Sequence, residues 1–139
     1  MIISRYLFIT GTLPFILLGA LHAIFSLLDV VKPRWFKPQD DRVAESMKNT
    51  SIGLTRRVNL WLAWLGFNIS HGLGVFSFGI ILLILALYDY QFLYQIKPLM
   101  ILTILISSAY FLLALRFWFY APAIGTGMGT ICFLLCYFV

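Results

Sequence analysis

The sequence predicts an all-α integral membrane protein, a bundle of four transmembrane helices carrying one basic loop. Three observations predict it. Hydrophobic residues make up 62% of the 139 positions and charged residues only 11%, where an ordinary soluble domain is about half apolar and a quarter charged. Mean hydropathy is +0.96. Seven of the ten Lys and Arg residues fall between Lys32 and Arg57, between two long apolar runs. One transmembrane domain over residues 1–139 therefore accounts for the chain, with little left over for a soluble catalytic module. The net charge of +5 would suit nucleic acid, but its clustering fits a cytoplasmic loop beside anionic lipid. The expected partner is the lipid bilayer, with no nucleic acid.

The first span is expected over about residues 6–30. Only Thr10, Thr12, Pro14, His22, Ser26 and Asp29 interrupt it, and it is long enough to cross a hydrocarbon core. It is too long for a cleaved secretory signal and ends on no small-residue cleavage pattern, so it is read as retained. Charge and turn formers then mark a loop over residues 31–57, including Pro33, Pro38, Asp40, Asp41 and Asn49. Within it, Asp40 or Asp41 caps a short helix to about Met47, and Trp35 with Phe36 reads as an interfacial anchor.

The second span, residues 58–88, would be roughly 45 Å long as one helix, against a core of about 30 Å, so it must tilt, kink or protrude. A short aromatic link from Asp89 to Lys97 follows, and Pro98 suits the first turn of a third span reaching Phe117. Arg116, Trp118, Tyr120 and Pro122 make an interfacial turn into a fourth span, residues 122–139, near the short end of the spanning range. Basic residues near the span ends put the large loop in the cytoplasm and both termini outside.

Chemistry concentrates in the second span. Arg57, Trp61, Trp64, Asn68 and His71 recur at four- and three-residue steps, which puts them on one helical stripe. Asn and His in lipid should face protein or a cavity. The stripe is expected to point into the bundle, either as the wall of a binding site or as an interhelical hydrogen-bond pair that fixes packing. On another face Gly66, Ser70 and Gly74 recur every fourth residue, and Gly125 with Gly129 repeats the spacing in the fourth span. Such small-residue steps let helices approach closely, either between these two spans or between copies of the chain.

The first span carries His22, Ser26 and Asp29 on a stripe of its own. Asp29 is expected at the cytoplasmic interface, facing water or pairing with Arg57. His22 lies deeper, and two imidazoles from two spans would meet the axial requirement of a membrane haem, although no motif demands one. No cofactor is predicted, and the chain offers no thiolate metal site. Cys132 and Cys136 share a helical face as apolar thiols rather than a redox pair. HExxH, GxSxG and P-loop motifs are all missing.

The order GALHAIFSLLD, basic loop, RVNLWLAWLGFNISHGLG and APAIGTGMGTICF resembles small four-helix bacterial membrane proteins, chiefly through the stretch Trp61 to Gly74. That resemblance implies architecture and a bacterial inner membrane, and it carries no activity. The layout is also similar to the membrane-associated eicosanoid and glutathione metabolism enzymes, trimers that bind glutathione between subunits. Arg56 and Asn59 match part of their Arg-x-x-Asn-x-x-Glu pattern, Leu62 stands where the acid would be, and Tyr110 and Arg116 would fall in such a site.

The functional expectation is an accessory or interaction subunit, or a binder of a lipophilic ligand, with the stripe from Trp61 to His71 lining the contact. One alternative is an enzyme on a lipophilic substrate with His71 as acid or base and Arg57 or Arg116 holding an anionic group. The other is a haem electron-transfer subunit through His22 and His71.

Overall fold

The structure is a computed structural model that describes residues 2–139. Its elements are α1 (Ile2–Val31), α2 (Asp41–Asn49), α3 (Leu60–Tyr88), α4 (Tyr90–Gln95), α5 (Lys97–Phe117) and α6 (Tyr120–Phe138). The fold is the expected all-α four-helix bundle. Helices α1, α3, α5 and α6 are each long and apolar enough to cross a membrane. They are apolar almost all round, with Leu13, Leu17, Leu21 and Ile24 exposed on α1 and Ile101, Leu105 and Leu112 on α5. In water such a surface would drive aggregation, whereas acyl chains solvate it.

Contacts group the chain into two compact units, one of residues up to Leu18 together with Val75–Val139, the other Gly19–Gly74. In the first, Phe8, Phe15, Leu93, Met100 and Phe133 are fully buried. Their rings interlock, with centroids 5.0 Å apart for Phe8 and Phe133 and 5.1 Å, edge to face, for Phe15 and Phe78. Glycines make this density attainable. A Cβ on Gly129 would lie 2.7 Å from the Gly11 carbonyl oxygen, one on Gly79 2.8 Å from the Ile16 nitrogen, and one on Gly125 2.7 Å from Leu18 Cδ1. Gly125 and Gly129 are thus in close packing, but the helix they admit is α1 and not the second span or another copy of the chain that their spacing suggests.

The exit from α3 in this unit is held by Arg5, which donates to the carbonyls of Ala86 at 3.2 Å and Leu87 at 3.0 Å. A cation on the last carbonyls of a helix satisfies orphan acceptors and opposes the negative end of its dipole. Asp89 then accepts from Phe92 N at 2.9 Å and caps α4, so the link that reads as merely aromatic begins with an N-capped helical turn.

In the second unit, Asp40 caps α2 by accepting from Arg42 N, as expected, and the helix runs to Asn49. Residues 50–60 fold back on themselves. Leu60 N donates to Thr50 O at 2.8 Å, Ser51 and Asn59 form an isolated antiparallel bridge, and Leu54 at the tip is 96% exposed. Asn59 accepts from Leu62 N at 2.8 Å and so starts α3. This is the role the structure gives Asn59.

Candidate functional site: the histidine and asparagine cluster

The candidate site is in the second unit and grows from α3. Asn68 is 1% exposed, and its amide orientation follows from its bonds. Nδ2 donates to the Trp64 carbonyl at 2.8 Å, which leaves Oδ1 facing His22 Nε2 at 3.1 Å. Because Oδ1 only accepts, His22 Nε2 carries the proton in this bond. His71, one helical turn beyond Asn68, meets His22 edge to face with centroids 5.1 Å apart. The sequence stripe therefore brings Asn68 and His71 together, and His22 joins them from α1. Close approach of backbones allows it, since a Cβ on Gly72 would lie 2.5 Å from the Ala23 nitrogen.

Arg57 does not join this stripe. Helix α3 starts at Leu60, and the bridge between Ser51 and Asn59 draws the chain out of helical phase before that point, so Arg57 is exposed in the turn. Trp61 is buried, whereas Trp64 is 37% exposed and donates from Nε1 to the Phe36 carbonyl at 3.1 Å. The stripe is therefore only partly inward-facing.

The small-residue face also departs from expectation. Gly66, Ser70 and Gly74 are exposed, a Cβ on Gly66 would meet nothing within 4 Å, and the Ser70 hydroxyl donates back to Phe67 O at 2.9 Å. Gly66 therefore faces open space. Gly72, which falls outside the every-fourth pattern, is the glycine that packs against α1. Period alone does not say which of two glycine faces a helix presents to its neighbour.

Asp29 overturns the expectation of a solvated or Arg57-paired acid. Its side chain is 0% exposed, and its carboxylate accepts from Arg34 N at 2.8 Å, Trp35 N at 2.9 Å and Phe36 N at 2.6 Å. Pro33 ends the helix and three successive amides converge on one carboxylate, which satisfies the buried acceptor and fixes the loop. Two consequences follow for the residues expected as an interfacial anchor. Trp35 stacks on Phe25 with centroids 4.4 Å apart, and Phe36 is brought to 4.7 Å from the His22 ring. Ser26, between His22 and Asp29, donates to the His22 carbonyl at 2.7 Å. The loop is thus part of the site: Asp29 holds its amides, Trp64 holds its Phe36 carbonyl, and Phe36 covers His22.

At Asp29, sequence reasoning found the residue but missed its role, and a signal for that role existed. An acid in the last turn of a helix opposes the dipole, so its presence there implies donors strong enough to compensate. No group of three or more His, Cys, Asp or Glu side chains suited to a metal occurs among the described residues.

A second polar cluster, equally unforeseen, is in the first unit. Ser4, Tyr90 and Cys136 are buried. The hydroxyls of Ser4 and Tyr90 are in hydrogen-bond contact, Tyr90 Oη is 3.0 Å from Cys136 Sγ, and Ser4 Oγ donates to the Cys136 carbonyl at 3.3 Å. Burial first, and the thiol hydrogen bond second, push the Tyr90 phenol above its ordinary range. That makes it a neutral donor rather than a base. Cys136 is buried as its spacing suggests, Cys132 is partly exposed, and both are free thiols. Tyr110, from the glutathione-enzyme pattern, sits in the aromatic core with its ring centroid 6.2 Å from Phe15.

No protein-family model, curated protein or solved structure matches the chain.

Proposed function

We propose that this chain is an interaction subunit of a membrane assembly that receives a transmembrane helix, from a partner or a second copy, on the α3 face carrying Gly66, Ser70 and Gly74. One observation carries the reading: three small residues at four-residue spacing that are all exposed, with open space at Gly66, beside the half-buried ring of His71. Between helices in lipid the drive is close packing and hydrogen bonding rather than hydrophobicity, and small residues supply the approach. An imidazole at the edge of such a face also gains from being covered by protein instead of acyl chains. Phe67, stacked on His71 with centroids 6.1 Å apart, adds a rigid rim.

The same reading takes the membrane to be a bacterial inner membrane, with loop 31–57 in the cytoplasm and both termini outside. Its support is the basic loop and the sequence resemblance. A lipophilic ligand on the same face is the alternative occupant, and an enzyme using His71 as acid or base is the rival class.

Gly66→Leu tests the proposal cleanly, because open space at Gly66 lets the variant fold while its side chain blocks the face. Native mass spectrometry and cross-linking of the protein taken from its own membrane should show the wild type associated and Gly66→Leu bare. Association unchanged in Gly66→Leu would sink the docking face. A small-molecule mass in place of a protein partner would favour the ligand reading, and turnover lost in His71→Gln with association intact would favour the enzyme.

A further inference from the structure

A cavity of about 250 Å³ in the second unit is lined by Pro33, Lys37, Ala44, Lys48 and Trp61. Its position along the chain is specific. Pro33 follows α1 by two residues and Trp61 is the second residue of α3, so the cavity is bracketed by the ends of two membrane-spanning helices. That is the level at which lipid headgroups lie, and where a Trp with one apolar and one polar edge is at home. Ala44 is the buried residue of α2, which covers the cavity as a strongly amphipathic surface helix.

The charge is arranged to suit an anion. Lys37 and Lys48 line the cavity, and each is tethered by a carboxylate of α2: Lys37 contacts Asp41, and Lys48 is 3.9 Å from Glu45. The side chains of Lys37 and Lys48 are 34% and 49% exposed, against 85% and 65% for Asp41 and Glu45, so in each pair the lysine is the more covered partner and the acid the more solvated one. Three carboxylates stand against seven basic residues across the loop, which leaves the surroundings positive as well.

We infer that this cavity binds the phosphate of an acidic phospholipid, with Lys37 and Lys48 holding the phosphate oxygens and Trp61 supporting the glycerol end. The site is independent of the α3 face and does not rest on that docking proposal. It differs from diffuse attraction of a basic loop to a negative membrane, because two lysines of seven basic residues carry it.

The test uses the full chain in nanodiscs of phosphatidylcholine containing a minor fraction of phosphatidylglycerol, followed by native mass spectrometry of released protein. Wild type should retain one phosphatidylglycerol per chain. The double variant Lys37→Gln with Lys48→Gln should lose retention at least tenfold, with circular dichroism unchanged. One control, Arg42→Gln combined with Arg56→Gln, removes the same charge outside the cavity and should keep the lipid. Equal loss in the two double variants would overturn the site in favour of diffuse electrostatics. Displacement of the lipid by millimolar inorganic phosphate would overturn the lipid assignment in favour of a free-phosphate site, and equal retention of phosphatidylcholine would overturn the preference for an acidic lipid.

Discussion

The cluster of Ser4, Tyr90 and Cys136 and the cluster of His22, Asn68 and His71 both place hydrogen-bonding side chains among apolar helices, yet they are closed in different ways. The first is sealed and neutral, with Ser4, Tyr90 and Cys136 all buried and bonded to one another. The second keeps Asn68 buried but leaves the His71 ring partly exposed, and it is covered from one side by a loop that a buried carboxylate holds in place. A sealed network serves packing. The other is shaped by a loop whose backbone amides a carboxylate holds.

The contrast can be broken most severely at Asp29. Asp29→Ala leaves three loop amides without their acceptor, and the expected loss is about 3–5 kcal/mol, of the size seen when a buried charged network loses one member. Unfolding in mixed micelles reads it directly, and a loss below the error of the method would mean the loop is not held by this carboxylate. Gly72→Leu should come next. It pushes against the Ala23 backbone, and overpacking of this kind costs about 1–3 kcal/mol, whereas Gly66→Leu on the open face should leave fold stability unchanged in the same assay. Equal destabilisation by the two would erase the distinction between the two faces of α3.

In the sealed cluster, Tyr90→Phe removes the hydroxyl that joins Ser4 to Cys136. The expected cost is about 1–2 kcal/mol, moderated because Ser4 keeps the Cys136 carbonyl. In the open cluster, Asn68→Ala should cost about 1 kcal/mol, the usual size of an interhelical hydrogen bond in a membrane. Its sharper signature is the His22 imidazole, whose nitrogen chemical shifts should lose the Nε2-protonated pattern set by Asn68.

The smallest effect concerns Asp41. Its hydrogen bond and charge contact with Lys37 hold its carboxyl below the ordinary value of 3.8 in the folded chain. That pairing stabilises the loop at pH above the unfolded value and is lost as pH falls through the folded one. Because the group is fully exposed, the effect should be visible as a low titration midpoint in carboxyl NMR rather than in stability, and a midpoint at or above the ordinary value would remove it.

Much of this was legible in residue order. Four apolar runs of spanning length predict four helices because the chain has no other way to satisfy backbone groups in lipid. Asp40 or Asp41 as a cap predicts α2, and Gly125 with Gly129 predicts a close approach. The four- and three-residue steps from Trp61 to His71 put Asn68 and His71 on one face, and two histidines in two spans raise the question of whether they meet.

What tertiary structure alone decided is which face meets what. Helical periodicity fixes relative angles around one axis and is silent about its neighbour, so the sequence did not choose between Gly72 and Gly66 as the packing glycine. It did not assign α1 as the helix that Gly129 admits. Arg57 left the stripe because a turn ten residues long changed the helical phase, a local event that no periodic count registers. Asp29 bonds amides five to seven residues ahead of it, and that reach depends on the path of the loop rather than on the kinds of residue in it. Composition settles what solvent surrounds this chain; the path of the backbone settles which of its few polar groups face one another.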